Sequence, residues 1–172
     1  MEEAQPKTGK FSLNYGLILG GISVIFGILL YTQDLHTSQS PVLMVFNIVI
    51  MAVVTFLGIQ AFKKANGSFL TIGQAIKVGI GIALIAAIIG ILYSYVLTNF
   101  IDTDAPSKIM DARLGPALES GEITQEQFDQ QKEQSLKFWW MGYPVILIFN
   151  IIIGLVLGLI SGLILKKAKP AY

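Results

Sequence analysis

The sequence predicts an all-α fold, an integral membrane four-helix bundle, and three observations lead to it. First, 53% of the 172 residues are hydrophobic and only 13% are charged, whereas ordinary soluble domains carry roughly 25% charged residues. Second, four apolar runs each approach the ~20 residues that a helix needs to cross a ~30 Å hydrocarbon core. Third, the charged residues lie almost entirely outside these runs. We therefore expect a single membrane domain over 1–172, with spans at about 12–32, 41–62, 75–101 and 143–165.

The first apolar run follows a short polar tail that reaches Lys10. The run extends from Leu13 to Tyr31, which is 19 residues. It is longer than the 7–15-residue apolar region of a secretory signal peptide, and no small-x-small cleavage pattern follows it. We therefore expect a first span that is retained.

Proline, turn and helix-capping signals indicate where the second and third spans begin. Pro41 opens the second at a helix start, where the missing N–H of proline removes no hydrogen bond. Asn66-Gly67 is a turn signal ahead of the third. Thr71 and Gln74 have the spacing of an N-terminal capping box, so the third helix should begin near residue 72.

An acidic segment over 102–140 separates the third span from the fourth and is predicted to lie outside the cytoplasm. Thr124 and Gln127 can form a second capping box, which predicts a helix from about 125 toward Trp140. The segment could form a solvated cap, lie on the membrane, extend the fourth span or present its acids to a partner. Its first half should be divided into short pieces by prolines and glycines: Pro106, Gly115, Pro116 and Gly121.

Aromatic and basic residues mark the predicted membrane–water boundaries. Trp139, Trp140 and Tyr143 precede the fourth span, and amphipathic rings concentrate at this level. Lysine pairs end the second and fourth spans, and we assign them to the opposite interface: Lys63, Lys64, Lys166 and Lys167.

The distribution of charge predicts the orientation. Four spans place both termini on one side, and that side, with the link over 61–77, carries eight Lys/Arg and two Glu. The other side carries four Lys/Arg and nine acids, a net charge of −5. By the positive-inside rule both termini are cytoplasmic.

The second and fourth spans resemble one another. Pro41–Lys64 and Pro144–Lys167 align without a gap at an offset of 103 residues and share Pro, Phe-Asn-Ile and Lys-Lys. The first and third spans align more weakly, at an offset of 63. The chain is therefore predicted to contain two tandem two-helix hairpins related by a pseudo-twofold axis along the membrane normal, as in parallel transporter repeats.

The repeat carries one polar residue at an equivalent position in each copy. Asn47 and Asn150 each lie six residues after the proline that opens their helix, about 9 Å along the axis. We expect both at equal depth and facing the bundle interior, near each other or capping neighbouring helices. Two interpretations stay open: packing contacts between helices, or a polar substrate site.

Glycines at four-residue spacing predict close helix packing, because they let two backbones approach. This pattern favours contacts within the bundle and leaves self-association open. The residues concerned are Gly16, Gly20, Gly90, Gly154, Gly158 and Gly162.

The sequence contains no recognisable catalytic, cofactor-binding or metal-binding motif. No Asp, Glu, Arg or His lies inside a span, which argues against a proton-coupled transporter built from this chain alone. His36 is the only histidine, and the aspartates do not have the spacing of a calcium loop. We therefore expect His36, Asp102, Asp104 and Asp111 to be solvated loop residues. The lysines suit anionic lipid headgroups better than nucleic acid.

Several short motifs together resemble a known family. The first span is entered at Tyr15-Gly16, and Gly67-x-x-x-x-Ile72-Gly73-Gln74-Ala75 precedes the third. Tyr93-x-Tyr95 with Ile101-Asp102 follows, and Gly158-x-Ile160-Ser161 ends in Lys166-Lys167. In these motifs the chain is similar to the bacterial membrane proteins grouped as domain of unknown function 4199. The resemblance implies a multi-pass protein of the inner membrane and implies no activity, cofactor or catalytic residue.

Two functions are compatible with this sequence. The first is a structural, assembly or accessory membrane protein that acts through helix and lipid contacts, with the lipid bilayer, another membrane protein or a second copy as partner. The second is a passive transport or small-molecule-binding module that functions as an oligomer. Its signature would be a polar cavity lined by Asn47, Asn150, Asn14 and Thr55. We expect that the chain is not an enzyme.

Overall fold

The structure is a computed structural model that describes residues 6–168. The predicted all-α fold is confirmed: over this range there is no β-strand beyond one isolated bridge between two residues. Six α-helices follow one another along the chain: α1 Thr8–Thr32, α2 Pro41–Ala65, α3 Ile72–Val96, α4 Ala105–Glu119, α5 Gln125–Lys137 and α6 Gly142–Leu165. The acidic segment between α3 and α6, which contains α4 and α5, is called the insert below. Two short turns flank it, a π-helical turn at Leu97–Ile101 and a 3₁₀ turn at Trp139–Met141.

Four helices, α1, α2, α3 and α6, are long and apolar enough to cross a membrane. The candidate spans are Thr8–Thr32, Pro41–Ala65, Ile72–Ile101 and Trp139–Leu165. The first helix begins within the predicted polar tail, at Thr8. The four helices form a bundle with a terminal end, where α1 begins and α6 ends, and an insert end, which carries α4 and α5.

Helix α3 is the centre of the bundle. It packs extensively against α1 on one side and α6 on the other, and α2 contacts all three. Four α3 residues are fully buried: Ala75, Val78, Ile82 and Ala83. Small side chains along α3 allow this position, since a central helix must be narrow enough to have neighbours all round.

The two hairpins are packed unequally. A twofold axis that exchanges the hairpins would make the α1–α2 interface equivalent to the α3–α6 interface. In the structure α3 and α6 share a far more extensive interface than α1 and α2 do. The internal repeat therefore stays a prediction from the sequence, and the bundle itself departs from two equivalent halves.

Glycines account for the close α3–α6 approach. A Cβ on Gly79 would lie 2.6 Å from the Gly154 carbonyl oxygen and 2.9 Å from the Gly158 Cα. A Cβ on Gly162 would lie 2.9 Å from that of Ala75. The predicted glycine series on α6 thus makes its contacts inside the chain.

The α1–α3 interface is also close. A Cβ on Gly16 would lie 2.7 Å from that of Ile85, and Gly20 lies directly against Ile89. Gly90 makes no such approach, because an added Cβ would have nothing within 4 Å. Gly90 instead lies beside a cavity described below.

The terminal end is closed by backbone pairing. Leu70 and Lys167 exchange two hydrogen bonds, 2.9 Å and 3.0 Å long, which tie the α2–α3 link to the end of α6. Gly67 adopts a φ of 63°, the left-handed conformation that the predicted turn requires. The predicted Thr71–Gln74 capping box is present.

The insert end differs from the prediction in its first half. Instead of short pieces, residues Ala105–Glu119 form one helix that continues through Pro116. Pro106 stands in its first turn, where proline costs no hydrogen bond. Ala105 and Met110 are buried, and Ala105 and Ile109 line a cavity together with residues of α1 and α3.

The second half of the insert agrees with its sequence signals. The Thr124–Gln127 capping box is present and α5 begins at Gln125. Helix α5 packs on α4, and an ion pair between Lys132 and Asp111 joins the two helices. The insert is therefore a helical hairpin.

Candidate functional site

Two asparagines share a cavity inside the insert-end half of the bundle. Asn47, Asn150 and eleven other residues from α1, α2, α3 and α6 line this amide cavity, whose volume is about 260 Å³. Its wall is mainly apolar, as at Met51, Ala86 and Ile153. Because Asn47 is exposed while Asn150 is half-buried, the cavity opens at the surface of the bundle.

Each of these amides bonds to its own helix. Asn47 Nδ2 donates to the Leu43 carbonyl oxygen at 2.9 Å, and Asn150 Nδ2 donates to that of Ile146 at 2.9 Å. Neither side chain bonds to a neighbouring helix within residues 6–168. An amide has two N–H donors and an acceptor oxygen, so each keeps one donor and its oxygen for a ligand.

Two serines add hydroxyl groups to the wall of the amide cavity. Ser23 donates to the Leu19 carbonyl oxygen at 2.9 Å. Ser94 also lines the cavity. A molecule placed there would meet few polar groups on an otherwise apolar surface, which is the usual character of a small-molecule site.

The other two residues of the predicted polar cavity lie elsewhere. Asn14 is exposed on α1 and is not part of the amide-cavity wall. Thr55 is completely buried in the core, and its hydroxyl has no hydrogen-bond partner among the described residues. The amide cavity therefore contains two of the four residues that the sequence suggested.

A charged cluster at the insert end joins two distant parts of the chain. His36 Nε2 lies 2.9 Å from Asp102 Oδ2. Lys108 Nζ donates to both carboxylate oxygens, at 3.0 Å and 2.9 Å. The expectation that His36 and Asp102 are solvated is wrong, because their side chains are only 8% and 12% exposed.

The same cluster changes the acidity of the carboxyl. The pKa of Asp102 lies below its ordinary value of 3.8, first because Lys108 donates hydrogen bonds to the carboxylate and second because His36 does. Asp102 directly follows the π-helical turn at Leu97–Ile101, which positions it. The Asp102 N–H donates to the Leu97 carbonyl oxygen at 2.8 Å. Such turns are often found at functional sites.

The predicted interface residues occupy the two ends of the bundle. Trp140 is 63% exposed at the insert end, whereas Trp139 is half-buried and Tyr143 Oη lies 3.5 Å from Thr98 Oγ1. At the terminal end, Lys167 stands 5.7 Å from the Phe69 ring. Lysines of this end are exposed or half-buried: Lys63, Lys64, Lys166 and Lys167. Lys169, which contributes to the predicted charge bias, lies outside the described residues.

Residues 6–168 contain no group of three or more His, Cys, Asp or Glu side chains that could hold a metal ion. Sequence reasoning identified the two asparagines of the amide cavity through the repeat. It missed the His36–Asp102–Lys108 cluster, since no local motif connects residues 66 positions apart.

Comparison with known proteins gives one match. The model of a family described as "Protein of unknown function (DUF4199)" matches residues 14–167. This range begins within α1, at residue 14, and includes the whole of the other five helices. No curated protein and no solved structure matches the chain.

Proposed function

The chain belongs to the DUF4199 family, and we propose that it is a multi-pass membrane protein that binds a small, mainly apolar molecule with one polar group in the amide cavity. The observation that carries the proposal is that Asn47 and Asn150, from different helices, share one cavity of about 260 Å³. An apolar cavity of roughly 150 Å³ holds benzene, so the amide cavity has room for a ring or a short acyl segment. A single hydroxyl, carbonyl or ester group on the ligand would match the amides.

The hydrogen bonding of the two asparagines supports binding rather than packing. Polar residues that join membrane helices do so by bonding across the interface. Asn47 and Asn150 instead bond within their own helices. Their remaining donors and acceptors would face hydrocarbon without a partner, which is unfavourable. A ligand with one polar group would relieve that cost.

Mass spectrometry of co-purified small molecules tests this function. The wild type and the variant Asn47→Leu/Asn150→Leu would be purified in mild detergent from the membranes in which they are produced. We expect an amphipathic molecule bound to the wild type and depleted about tenfold or more in the variant, since each lost hydrogen bond weakens binding by about 0.5–1.5 kcal/mol.

Asn99→Leu is the matched control for this experiment. Its amide also bonds to its own helix, with Nδ2 2.8 Å from the Tyr95 carbonyl oxygen, but it does not line the amide cavity. We expect this variant to retain the molecule. Equal retention by the double variant, or a wild type that carries no small molecule, would contradict the proposal.

A structural or accessory role is the second candidate. The first half of α2 supports it, because this segment presents a broad exposed apolar surface that lipid or another membrane helix would cover: Val42, Met44, Val45, Phe46, Ile48 and Val49. Photocrosslinking from Val45 in native membranes tests it. A crosslinked protein partner of defined mass supports an assembly role, and crosslinks to lipid alone argue against one.

The proposed location is the inner membrane of a bacterium with both termini in the cytoplasm. The excess of lysine at the terminal end and of acids at the insert end supports this orientation. Because the sequence contains no cysteine, single cysteines report accessibility without background. A membrane-impermeant maleimide should label Ser120→Cys in intact spheroplasts and Ala65→Cys only after permeabilisation. The reverse pattern would overturn the orientation.

In this proposal the chain binds its ligand and does not convert it chemically. The prediction that the protein is not an enzyme goes with it. Release of a chemically altered molecule by the purified wild type, but not by the double asparagine variant, would contradict that prediction.

A further inference from the structure

A second cavity lies at the insert end, separate from the amide cavity except for a shared wall at Ser94. Its volume is about 200 Å³. It lies between α1, α3, α4 and the 3₁₀ turn, and its apolar wall includes Leu30, Leu97 and Ile109. His36 and Trp139 also line it, and we call it the histidine cavity.

Two residues of this wall, His36 and Trp139, each carry a buried polar atom that is unpaired. His36 Nδ1 and Trp139 Nε1 have no hydrogen-bond partner within residues 6–168. The His36 side chain is only 8% exposed, so bulk water does not take the place of a protein partner. An unsatisfied buried polar group costs about 1–3 kcal/mol. Two residues with such atoms in the wall of one cavity indicate that something outside the chain completes the site.

The charged cluster determines the role of the imidazole. The Asp102 carboxylate can only accept hydrogen bonds, so the Nε2 atom that contacts it at 2.9 Å carries a proton. In the neutral imidazole the other nitrogen, Nδ1, is then an acceptor. The Tyr31 ring packs edge-on against the imidazole, with centroids 5.0 Å apart, and helps to hold its orientation.

The indole is the complementary partner. Trp139 Nε1–H is a donor and cannot accept. The unpaired atoms therefore offer one acceptor and one donor, in a mainly apolar wall that also contains the hydroxyl-bearing residues Tyr93, Ser94 and Thr98. A hydroxyl group matches this pair, because its hydrogen can be donated to His36 Nδ1 while its oxygen accepts from Trp139.

We propose that the histidine cavity binds a small uncharged alcohol, with the hydroxyl held between His36 Nδ1 and Trp139 Nε1–H and the apolar body against Leu97 and Ile109. The ligand is the size of a single ring, since a cavity of roughly 150 Å³ accommodates benzene. This site is independent of the proposed function, because neither Asn47 nor Asn150 lines it.

Benzyl alcohol and toluene are the probes that test this site, since they differ in the hydroxyl group alone. The full chain would carry Trp140→Phe, which removes an exposed indole that does not line the histidine cavity. Trp139 is then the only indole in the sequence, and its ¹⁵N–¹H resonance reports directly on Nε1. Both probes would be titrated at equal mole fraction in the same micelles.

The expected result is a saturable shift of the Trp139 resonance with benzyl alcohol, at an apparent affinity about tenfold or more above that for toluene. The phenyl ring in His36→Phe cannot accept a hydrogen bond, so this variant should bind benzyl alcohol and toluene with about equal affinity. If His36→Phe does not fold, the comparison of the two probes in the Trp140→Phe protein decides alone. The Asn47→Leu/Asn150→Leu variant should respond to benzyl alcohol as the parent does.

Three results would overturn the proposal. The first is the absence of a saturable shift with either probe, which would mean that the cavity is empty or holds water alone. The second is an equal response to benzyl alcohol and toluene, which would show apolar filling without the hydroxyl contacts. The third is a preference for benzyl alcohol that survives in a folded His36→Phe protein.

Discussion

Some buried polar side chains in this molecule have a hydrogen-bond partner and others do not. Thr98 donates to the Ser94 carbonyl oxygen at 2.9 Å, as hydroxyls in apolar helices commonly do. Thr55 is completely buried and its hydroxyl has no partner among residues 6–168. Because lipid provides no substitute for water, each such atom has a measurable effect on stability.

Thr55→Val should stabilise the protein. The substitution replaces an unpaired buried hydroxyl with a methyl group of similar size, which removes a desolvation cost of about 1 kcal/mol or more. Thermal unfolding in detergent, followed by circular dichroism, measures the change. Thr98→Val is the matched control and should destabilise, because it removes a hydrogen bond that exists. A loss of stability in Thr55→Val equal to that in Thr98→Val would show that the Thr55 hydroxyl is satisfied in solution.

Asp102→Ala should destabilise the protein by about 1–3 kcal/mol at neutral pH, since His36 would lose the partner of its Nε2. Asp104→Ala, whose side chain makes no capping bond to α4, should change stability by about 0.5 kcal/mol or less.

The effect of Asp102 should also depend on pH. Its pKa is lower in the folded chain than its ordinary value of 3.8. The stabilisation is therefore complete above the ordinary pKa and is lost as the pH falls through the folded value. The difference between wild type and Asp102→Ala should shrink below about pH 4. A difference that stays constant from pH 7 to pH 3 would show that the ion pair does not form.

Among single polar residues, the sequence predicts those that stand in a recognisable local pattern. Asn47 and Asn150 were found because each lies six residues after a proline in two aligned segments. The contact between His36 and Asp102 joins residues 66 positions apart, and it depends on how α1, α3 and α4 meet. Nothing in the neighbourhood of either residue indicates that contact.

At the scale of helices, the residue at which a helix begins was easier to predict than whether the helix continues past a glycine or proline. Both capping boxes are present, at Thr71 and Thr124, because a helix N-terminus depends on residues within one turn. Helix α4 was missed because Gly115 and Pro116 have poor helix propensity. The helix nevertheless continues through both residues and buries Ala105 and Met110.

Gly158→Ala tests the closest helix interface. The new Cβ would lie 2.9 Å from the Ile76 Cα and 3.0 Å from the Ala75 carbonyl oxygen. These are backbone atoms that cannot rotate away, so α3 and α6 must separate. We expect a loss of about 1–3 kcal/mol, typical of overpacking, in thermal unfolding measured in detergent.

Gly142→Ala is the control in the same helix. An added Cβ there has nothing within 4 Å, and alanine favours a helix over glycine by up to about 1 kcal/mol. Gly142→Ala should therefore be neutral or slightly stabilising. A Gly158→Ala protein as stable as Gly142→Ala would show that α3 and α6 are not in close contact.

For the whole molecule, composition was enough to predict the class of fold. Four apolar runs became four helices long enough to cross a membrane. The sequence alignment of the hairpins did not predict their unequal packing, because side-chain volume determines how closely two helices approach. Glycines at 154, 158 and 162 bring α6 onto α3, whereas the aligned positions of α2 are Met51, Thr55 and Ile59.

This inequality has a functional consequence. The close α3–α6 and α1–α3 interfaces hold three helices together, and α2 contacts them less extensively. The amide cavity lies where α2 meets the other three helices. A molecule of the proposed kind would therefore enter at the least tightly packed side of the bundle.

The most direct test of the account is a high-resolution structure of the protein isolated from its own membrane and held in a lipid nanodisc. We expect non-protein density in the amide cavity, within hydrogen-bond distance of the side-chain amide of Asn47 or Asn150. A bundle in which α2 has closed over the cavity, with both amides bonded to neighbouring helices, would contradict it.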